Sequence, residues 1–198
     1  MSAPKFHGRR ALTRVRRDDG FTLPEMIVAS ALFSLVILVA GGIFLGQFRA
    51  QQQVSAVTST TTNAQLAGSV IDDGIRNSSG FKLTASGSDQ LLVARVAGSG
   101  TTLQWTCRAW YYSASAHTIR STSTTPGTPI TIPTAAQLAA WTLLVDGVQP
   151  RTGTTIFSTS GATVSIAFNA TTGSTYKPVA ISISTSPLAG VTENSTCY

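Results

Sequence analysis

Histidine, cysteine and charged residues are all scarce in this chain of 198 residues: there are two histidines, two cysteines and only 11% charged residues. One histidine, His7, lies in a basic N-terminal stretch, so only His117 and the two cysteines remain as soft metal ligands, too few for a typical zinc site. Asp72 and Asp73 are neighbours on a predicted helix and do not converge, and no G-x-S-x-G motif occurs. The sequence therefore predicts no catalytic residue, no metal site, no cofactor and no enzyme activity.

The positive charge is concentrated at the start of the chain. The formal net charge is +6, of which residues 1–20 carry +4 and all the other residues together only +2. A domain that binds polyanions over a broad surface is therefore not indicated. Basic residues just before an apolar segment instead keep that end of the chain in the cytoplasm.

An uncharged stretch of 23 residues follows, from Met26 to Phe48. As a helix it covers about 34 Å, enough to cross the hydrocarbon core of a membrane. It is longer than the apolar region of a secretory signal peptide and has no clear A-x-A cleavage site, although an ordinary single-pass anchor remains an alternative. Neither alternative explains Glu25, a carboxylate at the start of the stretch, where it costs free energy unless it has a partner.

The segment from Gly20 to Met26, GFTLPEM, resembles the class III leader of type IV pilins and of the pseudopilins of type II secretion. That family pattern is a short basic leader, a glycine, Phe-Thr-Leu-x-Glu and about twenty apolar residues, and each part is present here. Asp18 and Asp19 depart from the usual basic approach to the glycine. The resemblance covers roughly residues 15–50, and beyond them it concerns architecture alone.

The resemblance implies a processing site and an assembly site. A prepilin peptidase would remove the leader, residues 1–20, by cutting after Gly20, and Phe21 would become the N-methylated N-terminus. Glu25 would neutralise the terminal amine of a neighbouring subunit, since an amine and a carboxylate that are each costly in lipid are less costly together. Pro24 fits the first turn of the mature helix, where its missing N–H has no partner in any case.

The expected fold is α+β and pilin-like, a long N-terminal helix packed on an antiparallel sheet. The expected domains are the leader, a transmembrane and assembly helix over 21–48, its amphipathic continuation over 49–79, and a β-rich head over 80–198. Apolar residues three and four apart predict the buried face of the continuation; they are Val54, Val57, Ala64, Ala67, Val70, Ile71 and Ile75. The threonines of 58–62 predict a break in the helix, and a turn near 77–80 predicts its end.

Alternating and apolar runs predict the strands. They are residues 90–96, then 102–113 with a partner at 117–123, and a closing hairpin of 163–170 with 177–186. Between them, the run from Thr134 to Gly147 is predicted to be a helix, with Thr134 as its N-cap and Leu138, Trp141 and Val145 on one face.

The two cysteines, Cys107 and Cys197, predict a disulfide if the head is exported to an oxidising compartment. It would secure the end of the chain, which otherwise tends to fray. Two free thiols are the alternative.

Three arginines, Arg95, Arg108 and Arg120, lie near aromatic residues and raise the possibility of a nucleic-acid or glycan site. The favoured interpretation is structural: Trp105 and Tyr111 in the core, and Arg108 and Trp110 on an exposed face. Nucleic acid is therefore a possible partner without further support.

These observations together predict a structural subunit, a prepilin of a type IV pilus or a type II secretion pseudopilus, and a minor subunit rather than the major one. Its partners would be the prepilin peptidase, other pilin or pseudopilin subunits, assembly platform proteins and membrane lipid. It would cross the cell membrane once with its N-terminus in the cytoplasm, its head outside or in the periplasm, and join a surface filament. The alternatives are an adhesin or DNA-capture pilin of a competence system, and an anchored domain that never polymerises.

Overall fold

The computed structural model describes residues 20–98, 100, 102–171, 177–188 and 196–198. The helices are α1 (Leu23–Arg76) and α2 (Ala135–Ala139), and the strands in chain order are β1 (Ser78–Ser86), β2 (Asp89–Ala97), β3 (Trp105–Ser113), β4 (Thr118–Thr124), β5 (Thr142–Val145), β6 (Val148–Pro150), β7 (Phe157–Ser160), β8 (Thr163–Ala170) and β9 (Val179–Thr185). The expected α+β, pilin-like class is confirmed, because a long apolar helix is followed by antiparallel sheets that pack on its C-terminal part.

The chain divides into two compact units, one ending at Ala50 and the other running from Gln51 to Tyr198. The described part of the first unit consists of residues 20–22 and the N-terminal portion of α1, and every residue from Gly20 to Ala50 is exposed. The second unit contains the C-terminal portion of α1 together with all the strands.

Helix α1 runs without interruption through the threonine-rich segment, so the predicted break at 58–62 is wrong. Thr60 and Thr61 donate their hydroxyls to the carbonyls of Ala56 and Val57, at 3.1 and 2.8 Å. These local bonds satisfy the threonine side chains within the helix, and the modest helix propensity of threonine does not terminate it. The helix ends at Arg76, close to the predicted stop.

The first sheet is an antiparallel meander in the order β1-β2-β3-β4-β5. The register of its centre places Leu92 opposite Trp110, and Trp110 opposite Ser121. Strands β2, β3 and β4 match three of the predicted strands. Strand β1 was not predicted, although Phe81, Leu83 and Ala85 alternate with polar residues in its sequence, SSGFKLTAS.

The second sheet is built around β8, which pairs with β6 and β7 along one side and with β9 along the other. The predicted pairing of the last two strands is confirmed by the β8–β9 ladder, which joins Val164 to Thr185 and Ala170 to Val179. Strands β6 and β7, of three and four residues, are too short to give a periodic signal of their own.

The main core lies between the C-terminal portion of α1 and the two sheets. Helix residues Ala64, Ala67, Ile71 and Ile75 are buried there, whereas Val54 is 65% exposed, so the predicted buried face begins later than the sequence indicated. Trp110 is 1% exposed, and its placement on an exposed face is therefore wrong. Its ring packs where Gly74 leaves no side chain on the helix.

The first sheet is buried on its opposite face as well, by a smaller cluster. Leu91, Val93, Cys107, Ala109 and Tyr111 lie under a cover formed by α2, the residues beside it and the last described residues; the covering residues are Ile130, Leu138, Trp141, Cys197 and Tyr198. Burial on both faces explains why strand β3 is apolar on both sides and why simple alternation misassigned Trp110.

The helix predicted over 134–147 is correct only at its start. Thr134 caps α2 through a capping box with Gln137, as predicted for the N-cap, but α2 ends at Ala139. Residues Thr142–Val145 form β5 instead and pair with β4. The β-branched and aliphatic run TLLV satisfies the backbone groups along the edge of β4, and this tertiary pairing prevails over the helical spacing.

Candidate functional site

The predicted processing residues lie immediately before α1. Gly20 and Phe21 have no regular secondary structure and are both exposed, Phe21 by 77%. A Cβ added to Gly20 would have no atom within 4 Å, so the backbone at this peptide bond is open to an approaching group. The rest of the predicted leader, residues 1–19, lies outside the described residues.

Glu25 is in the first turn of α1 and is exposed. That turn is closed by a hydrogen bond in which Met26 N–H donates to Thr22 C=O at 3.2 Å. The N-terminal end of a helix carries partial positive charge, which favours a carboxylate there. Within the described residues, Glu25 forms no salt bridge.

The uncharged stretch that follows Glu25 is exposed along its whole length. Helix α1 is long and apolar enough to cross a membrane, by length and composition. The two serines of its N-terminal half, Ser30 and Ser34, donate their hydroxyls to the carbonyls of Ile27 and Ser30, at 2.9 and 2.8 Å. Their polar groups are therefore satisfied within the helix, as an apolar environment requires.

Three glycines open the surface of this stretch. A Cβ added to Gly41, Gly42 or Gly46 would meet no atom within 4 Å. Small residues spaced this way allow the backbones of two membrane helices to approach closely. The exposed apolar stretch is therefore narrow at these three glycines.

A disulfide joins Cys107 to Cys197, across a sequence separation of 90 residues. Cys107 lies in β3, and the carbonyl of Cys197 accepts a hydrogen bond from Ile130 N–H at 2.9 Å. Both cysteines are fully buried. The disulfide holds the last described residues against the face of the first sheet that points away from α1.

The arginines singled out in the sequence do not form one cluster. The Arg95 guanidinium lies 4.4 Å from the centre of the Trp105 ring, and Arg120 donates to the carbonyl of Trp141 at 3.0 Å. Arg108 faces the other side of the sheet, opposite Ser123 on β4. This division gives no continuous basic and aromatic surface for nucleic acid.

The polar residues beside Arg108 were not predicted from the sequence. Ser121, Ser123 and Thr142 line the same cavity as Arg108 and Trp110. Ser121 and Ser123 are two residues apart on β4 and so share a face, but Thr142 was assigned to a helix, and strand pairing alone brings it opposite Ser121. Across the described parts of the chain, no group of three His, Cys, Asp or Glu residues could hold a metal ion.

One comparison with known proteins gives a match. Residues 15–41 match the family model described as the prokaryotic N-terminal methylation motif. This range contains Gly20, Phe21 and Glu25 and extends into the exposed apolar stretch. No curated protein and no solved structure matches the chain.

Proposed function

We propose that the chain, whose residues 15–41 match the N-terminal methylation motif, belongs with the type IV pilins and pseudopilins and is a minor prepilin subunit, cut after Gly20 and assembled through its N-terminal helix. The observation that carries this proposal is the motif at residues 15–41, located where an exposed glycine precedes a helix with Glu25 in its first turn. The family is structural, and it implies processing by a prepilin peptidase and assembly with other subunits.

Cleavage after Gly20 creates the partner that Glu25 lacks. The new α-amine of Phe21 is cationic, and in lipid both this amine and an isolated carboxylate are costly. Pairing the amine of one subunit with Glu25 of its neighbour reduces both costs and leaves a single axial stagger in which every charge is matched. Glu25 then determines the register of the assembly.

The apolar helix anchors the precursor in the membrane. The net charge of +4 in residues 1–20 retains the N-terminus in the cytoplasm, so the residues after the span lie outside or in the periplasm. An oxidising compartment there is consistent with the disulfide between Cys107 and Cys197. Membrane lipid and assembly platform proteins are the expected partners before the subunit enters a surface filament.

The proposed domains are the leader over 1–20, the membrane and assembly helix over 21–48, its amphipathic continuation over 49–79 and the head over 80–198. The size of the head supports a minor subunit, because a subunit that only repeats along a filament shaft needs a smaller head. Purified filaments with measured subunit stoichiometry test this role. A dominant band of this chain would reject the minor role and leave the prepilin assignment intact.

The deciding experiment is mass spectrometry of the N-terminus of the protein purified from the cells that make it. A chain that begins at Phe21 and carries one methyl group is the expected result. A chain that begins at Met1, or at a residue within the apolar stretch, would instead identify an anchored protein or a secreted domain and would overturn the proposal.

A further inference from the structure

A polar cavity opens between α1 and the first sheet within the unit Gln51–Tyr198. Its volume is about 460 Å³, and its lining residues include Val70, Arg108, Trp110, Ser121, Ser123 and Thr142. A volume of this size falls within the range of small-molecule sites and accommodates a mono- or disaccharide.

Three neighbouring strands place the polar groups of this cavity on one face. Arg108 of β3 lies opposite Ser123 of β4, and Trp110 lies opposite Ser121, which itself lies opposite Thr142 of β5. Residues directly opposite on antiparallel strands project to the same side of the sheet. The register therefore arranges a guanidinium and three hydroxyls around the buried edge of Trp110.

None of these polar side chains is occupied by the rest of the described structure. Among the described residues, the salt bridge found joins Arg76 to Asp72, outside the cavity. Arg108 therefore has no ionic partner among those residues. Ser121, Ser123 and Thr142 make no side-chain hydrogen bond to another described residue, whereas serines elsewhere, such as Ser78 and Ser165, do. The cavity thus holds five guanidinium N–H donors and three hydroxyls that are free to bind a ligand.

We propose that this cavity binds a carboxylated sugar, with its carboxylate on Arg108 and its hydroxyls on Ser121, Ser123 and Thr142. A planar guanidinium matches a carboxylate in a two-point hydrogen bond, and hydroxyls both donate to and accept from sugar hydroxyls. The lining contains no carboxylate to neutralise Arg108, which favours an anionic ligand over a neutral one.

The residues that line the cavity also argue against a nucleic acid as its ligand. Binding a polyanion requires several cations along its path, and Arg108 is the one cationic residue in the cavity lining. The aromatic surface is also unsuitable, since Trp110 is only 1% exposed and has no free face on which a base stacks. This proposal does not depend on filament assembly.

The test is calorimetry on the full chain in a neutral detergent without a sugar head group. The probes are glucuronate, alginate oligomers, glucose, inorganic phosphate and a single-stranded DNA oligonucleotide. We expect glucuronate to bind and Arg108→Gln to weaken its binding by about tenfold or more, the value of a charge-assisted hydrogen bond. Arg151→Gln, an exposed arginine outside the cavity, is the matched control and should leave binding unchanged.

The five probes distinguish a free sugar acid from a polysaccharide as the ligand, and they also give the results that would contradict the proposal. Binding of glucuronate alone indicates a free sugar acid, and binding of alginate oligomers as well indicates a polysaccharide; both support the proposal. The proposal is overturned if no uronate binds, or if glucose or phosphate binds equally well. It is also overturned if the oligonucleotide binds more tightly in an Arg108-dependent manner, or if Arg108→Gln leaves the affinity for glucuronate unchanged. Because Arg108 is exposed, its replacement should leave the fold intact, and circular dichroism checks this.

Discussion

At the scale of single residues, a buried glutamine connects the two sheets. Gln90 is 3% exposed; its Nε2 donates to Phe157 C=O at 2.8 Å, and its Oε1 accepts from Ile156 N–H and Phe157 N–H, at 2.7 and 2.9 Å. One side chain of β2 thereby satisfies three backbone groups at the start of β7. Buried polar groups without such partners are costly. An amide satisfies all three groups here because it carries both an N–H donor and a carbonyl acceptor.

Replacing this glutamine by leucine should be strongly destabilising. Gln90→Leu keeps most of the volume but leaves three buried backbone groups without partners, and we expect a loss of about 2–4 kcal/mol in the free energy of unfolding. Denaturant unfolding of the full chain in detergent measures it. Gln149→Leu, at an exposed position of β6, should change stability little; equal losses in the two variants would contradict the assigned role.

A second residue-scale feature is the buried phenol of Tyr111. Its O–H donates to Asp89 Oδ2 at 2.6 Å, while Asp89 Oδ1 accepts from Ala114 N–H at 2.7 Å. Burial, then the hydrogen bond to Asp89 and the negative charge of Asp89, raises the pKa of Tyr111 to about 12 from its ordinary value of 10.0. Burial likewise raises the pKa of Tyr112.

The raised pKa of Tyr111 predicts a loss of stability in alkali. Above pH 10 the unfolded chain releases the phenol proton while the folded chain retains it, so the stabilisation is complete below pH 10 and declines as the pH rises to about 12. Unfolding free energies measured across this range should fall. Tyr111→Phe should show a shallower fall, with Tyr112 responsible for the remainder; identical slopes in the two proteins would refute this cause.

At the scale of elements, the close packing of α1 on the first sheet depends on a missing side chain. A Cβ at Gly74 would lie 2.5 Å from Cζ2 of Trp110, far inside van der Waals contact. Gly68 is similarly crowded by Ile183 of β9. These two glycines let the helix approach both sheets.

The effect of Gly74→Ala is a competition between two terms of opposite sign. Alanine gains about 1 kcal/mol of helix propensity, whereas overpacking against the large ring of Trp110 costs about 1–3 kcal/mol. We expect net destabilisation in thermal unfolding. Gly41→Ala, on the same helix with no atom within 4 Å of the added carbon, should not destabilise the head. A gain of stability in Gly74→Ala would show that the Trp110 ring moves aside at little cost in free energy.

At the scale of the whole molecule, the disulfide determines how far the unfolded chain is constrained. Its sequence separation of 90 residues is long, and the chain-entropy model assigns such a loop about 4–5 kcal/mol. The double variant Cys107→Ala/Cys197→Ala should lose much of that stability in denaturant unfolding. It should also become sensitive to carboxypeptidase, because its last residues are no longer held. Unchanged resistance would show that packing alone secures them.

The proposed assembly concerns the whole molecule, and it tests the role proposed for Glu25. Glu25→Gln is nearly isosteric but uncharged, so we expect normal removal of the leader and a marked loss of incorporation into filaments. Glu25→Asp, which retains the charge, should recover part of the incorporation. Immunoblots of the membrane and filament fractions measure both steps. Normal incorporation of Glu25→Gln would show that charge pairing is dispensable.

Local chemistry in the sequence was sufficient for several features. The motif around Gly20, the length and polarity of the stretch after Glu25, the N-cap at Thr134 and the alternating run of β8 all depend on neighbours in the chain, and each could be assigned from the residues alone. The helix stop near Arg76 belongs to this group as well, since turn residues follow it directly.

Tertiary structure decided what depends on partners far away in the sequence. TLLV became β5 because the edge of β4 required a partner, and Trp110 became core because Gly74 left space for its ring. The cavity beside Arg108 exists only through the register of three strands. Strand pairing and ring packing are contacts between distant segments, and their free energies outweigh local preferences of a few tenths of a kcal/mol to about 1 kcal/mol per residue.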